Sequence, residues 1–336
     1  MENNNSEQTL SFPRINGEKV TFIYRGEAQK VCLVGDYNSW ELEDWMVRQD
    51  NSDIWRIQKT FPVNARFDYK YVVDGNWITD PLNPNTTQVG AGMNSTLMMP
   101  GYRSDFDKIM SETCPQGTLL LGRKLDSRYM DKEMTYHVYL PPNFKLSETK
   151  HILYALDGSD YVNHAKINIM LDYLIAHQQI PQMAAVLIDP DDRNRDYTIY
   201  EPYYRYVTEE LIPFSERECT EGNCQRALIG VSWGGLTAFH IAFQRPHTFQ
   251  RMLTQSGSYW PRDWKIFNTV NDAPFQPLKL CIQTGTIQDT EEMNDAMVQL
   301  LIAKGYAVTY NKYAETHSWS NWKGHLSEGL TALYAH

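Results

Sequence analysis

Arg226-Ala-Leu-Ile-Gly230-Val-Ser232-Trp-Gly234-Gly-Leu-Thr-Ala-Phe-His240 decides how the rest of the chain is read. A short apolar run leads into a turn written G-x-S-x-G, and the residues after it predict a helix from about Leu236. Glycines at 230 and 234 permit a sharp, strained turn from strand to helix, which lifts the Ser232 hydroxyl clear of its neighbours. A free serine hydroxyl is a weak nucleophile. The reading therefore requires a histidine base and a carboxylate that orients it, both supplied later in the chain.

Both occur at strand ends. Asp289 follows the apolar run Leu278–Ile282 and Gly285, and His317 follows the β-like run Ala307–Tyr313. Between them Met293, Met297, Leu300 and Leu301 recur at helical spacing, and Gly305 marks a helix stop. One strand, helix, strand unit puts the two side chains on the same edge of a parallel sheet. Glu291 and Glu292 compete with Asp289 for the acid's role, and His325 and His240 are the other nearby histidines. The chain order Ser, Asp, His is that of the α/β-hydrolases, so the expected fold is a doubly wound, mostly parallel sheet. In such a fold the oxyanion hole takes the backbone N–H of Trp233 and one from the loop after an early strand. Ile152–Leu156 is that strand, and Gly158 in Asp157-Gly-Ser-Asp160 is the candidate donor.

The chain has 336 residues, enough for two domains, and a net charge of −10, which argues against nucleic acid or an anionic membrane as partner. Residues 1–8 show neither a basic nor an apolar leader region, and no apolar run reaches membrane-spanning length, so a cytoplasmic location is the expectation. The five cysteines form no disulfide framework; Cys219 and Cys224 are close in sequence and are read as free thiols. No Cys/His spacing reads as a zinc site, and a serine triad asks for no cofactor.

Residues 9–100 alternate apolar and polar side chains in short segments, among them Lys19–Tyr24, Lys30–Val34, Ile54–Ile57 and Phe67–Val73. Short strands at this spacing predict an all-β, immunoglobulin-like sandwich, with a hairpin turn at Asp74-Gly75. Residues 85–115 show no sustained periodicity, so the boundary is placed there: 101–115 as a connector and 116–336 as the hydrolase domain.

Two resemblances follow from quoted motifs. Leu187-Ile-Asp189, Arg193-x-x-Asp196, the Ser232 elbow, Gln255-Ser-Gly-Ser-Tyr-Trp260 and His317 followed by Trp322 make residues 115–336 similar to the enterochelin (ferric enterobactin) esterases. That group belongs with esterase D and the feruloyl and acetyl-xylan esterases. The resemblance implies a Ser232, Asp289, His317 triad and places Arg193 in a substrate-facing loop with Asp196 as its partner. Arg193, Tyr259, Trp260 and Trp322 are the implied substrate contacts, in an aromatic-lined pocket. Departures stand beside it: Glu315-Thr316 replaces a usual glycine pair, and the family often carries Glu where Asp289 stands. The first 100 residues resemble early-set, glycogen-binding modules of carbohydrate-binding family 48 through Gly35-Asp-Tyr-Asn-Ser-Trp40, Tyr69–Trp77 and Asp80-Pro-Leu-Asn-Pro84. Trp40, Lys70 and Trp77 fall at sugar-binding positions there, although Asp80–Pro84 also suits a purely structural closure. The expectation is a serine esterase for a catecholate siderophore or similar aromatic ester. A carbohydrate esterase with a glycan-binding module is the alternative, and a non-catalytic glycan-binding scaffold is the third reading.

Overall fold

The computed structural model describes residues 13–50, 52–89 and 92–335, so the expected domain start at residue 9 lies outside the described residues. The chain forms two compact units. One runs through Arg103 and takes in Thr286–Gln288 and Tyr313–Thr316; the other comprises Ser104–Gly285, Asp289–Lys312 and the chain from His317.

In the first unit, alternation turns one face of each strand inward, as where Lys19–Arg25 buries Val20 and Phe22. One antiparallel sheet has the order Arg14–Asn16, Lys19–Arg25, Ile54–Thr60, Val47–Arg48. The other runs Asp44–Trp45, Val31–Gly35, Arg66–Val73, Gly92–Met98, Thr86–Val89, with Asn76–Ile78 paired to Arg66–Val73. Phe22, Leu33, Phe67, Tyr69 and Tyr71 pack the core. Asp74 (φ 49°) and Gly75 (φ 90°) make the hairpin turn in the left-handed region that such two-residue loops need. The stretch after the hairpin does close the module: Asp80 accepts hydrogen bonds from the Tyr69 hydroxyl at 2.6 Å and the Tyr71 hydroxyl at 3.1 Å. Thr86–Val89 and Gly92–Met98, read from sequence as part of an aperiodic stretch, are two strands. Leu97 joins the core beside Phe67, while on the opposite face Arg66 donates to Thr87, Thr87 and Thr96 share a hydrogen bond, and Thr96 donates to Asp68. The expected connector holds a short helix, α1 (Phe106–Ser111).

The second unit is built on eight strands: β1 (Thr118–Ser127), β2 (Lys132–Leu140), β3 (His151–Leu156), β4 (Ala184–Ile188), β5 (Gln225–Val231), β6 (Arg251–Gln255), β7 (Lys279–Gly285) and β8 (Val308–Tyr313). Their order is β1-β2-β4-β3-β5-β6-β7-β8. β1 and β2 pair antiparallel, as do β2 and β4, whereas β4, β3, β5, β6 and β7 are parallel neighbours. Alternate residues of β3 serve opposite faces. Ile152, Tyr154 and Leu156 join one core cluster, and Leu153 and Ala155 the other. The first cluster takes residues from α2 (Trp233–Gln244) and α3 (Glu291–Ala303); the second takes them from α4 (Trp319–Tyr334). Helices on both faces are why the central strands read as unbroken apolar runs. This is the doubly wound α/β-hydrolase architecture expected.

All five cysteines are free. Among the described residues no helix is long and apolar enough to cross a membrane.

Candidate active site

β5 delivers Ser232 at the C-terminal edge of the sheet. Its backbone sits at φ 54°, ψ −120°, outside the regions an L residue prefers. Gly230 makes this turn sterically feasible, because a Cβ there would lie 2.4 Å from the Gly234 carbonyl oxygen. The strained residue is pinned by its neighbour: Ser232 N–H donates to Gln255 O, at the end of β6, at 2.9 Å.

β7 and β8 bring the partners. His317 Nε2 lies 2.9 Å from Ser232 Oγ, and His317 Nδ1 lies 2.8 Å from Asp289 Oδ1. Asp289 receives further hydrogen bonds from Thr290 N–H (2.6 Å), Gly285 N–H (2.7 Å) and the Ser256 hydroxyl (2.7 Å). Burial of its side chain opposes ionisation, but the hydrogen bond and charge of His317, with Ser256 and Thr290, outweigh it. The Asp289 carboxyl therefore lies below its ordinary value.

The competing residues are elsewhere. Glu291 pairs with Lys312 at 3.0 Å, and Glu292, like Glu291, lies in the first turn of α3. His325 is buried in α4. His240 is buried in α2, and burial together with Lys265 lowers its pKa to about 4.

Ser256 was not singled out from the sequence, although it lies inside the quoted Gln255–Trp260 motif. The Trp322 indole N–H donates to Ser256 Oγ at 2.8 Å, and Ser256 in turn donates to Asp289. Trp322 also meets the His317 ring edge to face, with centroids 5.1 Å apart. It is thus both a wall of the site and a brace for the acid.

A cavity of about 320 Å³ opens over Ser232 and His317, walled by Trp319, Trp322, Arg193 and Asp160. A larger one, about 850 Å³, lies beside His151 and Arg251 at the N-terminal ends of β3 and β6. No triad residue lines it, and ligands in open α/β sheets bind at the opposite, C-terminal edge.

Two implied substrate contacts are placed differently. Tyr259 is fully buried and packs on Phe239 and Phe267, so its ring is part of the core. Trp260 is half exposed and meets Trp233 edge to face, away from the cavity lining. Arg193 does line the cavity, but its partner is Asp157, held bidentate at 2.8 and 3.0 Å, and not Asp196. Asp196 instead accepts the N–H groups of Asp191 and Asp192 and pairs with Arg195. The correct pairing spans two strand ends, β3 and β4, which spacing along the chain does not reveal.

Trp40, Lys70 and Trp77 share the outer face of their sheet. Trp40 packs on Cys32, Val34 and Val72, its ring centroid 6.2 Å from that of the exposed Trp77, and Lys70 pairs in register with Val34. Away from both sites, Glu112, Cys114 and His177 bring metal-ligand-type atoms within 4.8 Å of one another, and Glu112 and His177 already form an ion pair at 2.9 Å.

The chain is similar to known proteins in both of its units. Residues 18–99 match the model described as "Glycogen recognition site of AMP-activated protein kinase". The iron(III) enterobactin esterase of Escherichia coli K12 is 23% identical over 326 residues, covering 88% of this chain and 77% of that protein. The uncharacterized protein YjcH of Bacillus subtilis is 25% identical over 240 residues, 65% of this chain and 99% of that one. Among solved structures, the enterobactin esterase of Shigella flexneri has a TM-score of 0.75 at 22% identity, covering 96% of this chain and 94% of that chain. A ferulic acid esterase has a TM-score of 0.58 at 17% identity, covering 65% of this chain and 98% of its own. Residues 127–333 match the family model described as "Putative esterase", and on that match the chain belongs to this esterase family and is a carboxylic ester hydrolase.

Proposed function

We propose that the protein hydrolyses ester bonds of a catecholate siderophore or of a similar aromatic acyl ester, with Ser232 as nucleophile, His317 as base and Asp289 as orienting acid. The observation that carries this reading is the continuous hydrogen-bond chain Ser232 Oγ, His317 Nε2, His317 Nδ1, Asp289 Oδ1, at 2.9 and 2.8 Å. His317 takes the Ser232 proton as Oγ attacks the ester carbonyl carbon, and Asp289 stabilises the imidazolium that forms. The backbone N–H groups of Trp233 and Gly158 are assigned to the oxyanion. Each is the first residue of a helix and so has no intrahelical acceptor. His317 then returns the proton to the leaving alcohol, and water releases the acyl group by the same steps in reverse. The likeness to enterobactin esterases supports a catecholate acyl group, as do the indoles of Trp319 and Trp322 beside Ser232.

A second reading, a carbohydrate esterase, is favoured by one observation, the outward-facing Trp40, Lys70 and Trp77, whose rings suit the flat faces of glucose units. Product analysis separates the two. The protein, with Ser232→Ala as control, is incubated with a ferric catecholate trilactone and separately with a feruloylated oligosaccharide. Linear catechoyl-serine made only by the unmutated protein supports the first reading. Ferulate release with the trilactone intact supports the second. Turnover of a simple aryl ester that survives Ser232→Ala would overturn both and leave a glycan-binding scaffold.

A further inference from the structure

A second serine, histidine and aspartate cluster lies beside the site, made of Ser159, His137 and Asp189. Its connectivity is not that of a triad. The Gly122 N–H donates to His137 Nδ1 at 2.9 Å, so this nitrogen carries no hydrogen and the Nε2–H is the donor. Nε2 lies 3.0 Å from Asp189 Oδ2, which also accepts the Ser159 hydroxyl at 2.6 Å. Both donors thus converge on the carboxylate, and His137 has no lone pair to offer Ser159. Asp189 Oδ1 accepts a third hydrogen bond, from the Ser159 backbone N–H, at 2.7 Å. His137 and Asp189 are largely buried, with side-chain exposures of 8% and 19%.

The N–H assigned to the oxyanion, that of Gly158, belongs to the preceding peptide, between Asp157 and Gly158. Asp157 is held at φ 61°, a left-handed conformation that a non-glycine residue keeps only under restraint. Restraint on that side comes from Arg193, bidentate on the Asp157 carboxylate, and from the Tyr197 hydroxyl, which accepts the Asp157 N–H at 2.7 Å. Beneath, the loop lies directly on β4: a Cβ on Gly158 would fall 2.4 Å from the Leu187 carbonyl carbon. Asp189, two residues on from Leu187 at the end of the same strand, supplies the restraint on the far side.

We propose that Asp189 is a positioning residue, which with His137 and Ser159 fixes the Gly158 N–H at the angle the oxyanion requires. It transfers no proton and touches no substrate. The inference rests on the triad reading above and on Gly158 as an oxyanion donor.

The test uses the full chain with Asp189→Asn, Ser159→Ala, His137→Gln and His137→Leu. Asn at 189 cannot accept all three hydrogen bonds, because with its oxygen on the two side-chain donors its NH2 faces the Ser159 N–H, whereas Gln at 137 keeps a donor to Asp189 and Leu does not. Three quantities are read: kcat and KM on a short aryl ester, the inhibition constant of an aryl trifluoromethyl ketone that forms an oxyanion adduct on Ser232, and the melting temperature. Asp189→Asn is expected to lower kcat about tenfold to a hundredfold, less than outright loss of a donor. Affinity for the ketone should fall by the same factor while KM stays nearly constant. His137→Gln should retain most of the activity that His137→Leu loses, and Ser159→Ala should lie between. Unchanged ketone affinity in Asp189→Asn, or equal losses with Gln and Leu at 137, would overturn the proposal. If Asp189→Asn fails to fold, the His137 pair and Ser159→Ala decide alone. Labelling of the unmutated protein by a fluorophosphonate at Ser159 in place of Ser232 would overturn the triad reading itself, a failure distinct from this one.

Discussion

Asp289 concentrates more hydrogen bonds than any other side chain of the triad, and its ionised form is what they favour. Its carboxyl titrates below the ordinary 3.8 in the folded protein. A carboxylate whose folded pKa is depressed stabilises the fold at pH values above its unfolded pKa, and that contribution is lost as pH falls through the folded pKa. Asp289→Asn should therefore flatten part of the stability loss below about pH 4, measurable by urea unfolding across an acid series. The same substitution leaves His317 without its carboxylate and should cost roughly 10⁴ in kcat, the scale seen when a triad acid is neutralised. Ser256→Ala removes one neutral donor to that charge, worth about 1.5–3 kcal/mol, so kcat/KM should fall about tenfold to a hundredfold. Equal kcat/KM for Ser256→Ala and the parent would exclude Ser256 as a brace. Ser232, His317 and Asp289, which the structure brings within hydrogen-bond distance of one another, were singled out in sequence because the proposed chemistry demands their types and order. Ser256 and the Asp157–Arg193 pair were not, because each works through a neighbour on another strand.

Among the elements, the elbow between β5 and α2 tolerates least. Gly230→Ala would drive a Cβ into the Gly234 carbonyl, backbone against backbone, with no side chain able to move aside. The expected result is loss of several kcal/mol of stability, read as a lowered urea midpoint or as insoluble protein. Strands were the easiest elements to read: Ala184–Ile188 is buried throughout, as an unbroken apolar run predicts. The start of α2 was read three residues late. Gly234 and Gly235 weaken the helical signal, but Gly235 packs where a Cβ would come within 3.1 Å of Gly257 Cα. Thr86–Val89 and Gly92–Met98 escaped for the opposite reason. Of their buried positions Ser95, Thr96 and Leu97, only Leu97 is apolar, and a buried Arg66–Asp68 pair at 2.9 Å lies beside them, so hydrogen bonding supplies what apolar periodicity does not.

On the scale of the whole molecule, the first unit presents the exposed Trp77 ring beside Trp40, which itself covers the buried Cys32, Val34 and Val72. Trp77→Ala should abolish any retention of the protein on a glucan gel while leaving melting temperature and aryl-ester turnover nearly unchanged. A marked fall in melting temperature would instead make the ring a packing residue.

Short stretches next to the triad belong with that first unit. Arg66 N–H donates to Ala314 O at 3.0 Å, Thr316 Oγ1 donates to Asp36 at 3.3 Å, and Thr286 N–H donates to Tyr313 O at 2.8 Å. The polypeptide changes allegiance at 103/104, 285/286, 288/289, 312/313 and 316/317. Asp289 and His317 each stand one residue beyond such a crossing. A gene cut after residue 103 would therefore not yield two finished proteins. Removing the sandwich would strip the residues just before the acid and the base of the unit in which they are packed.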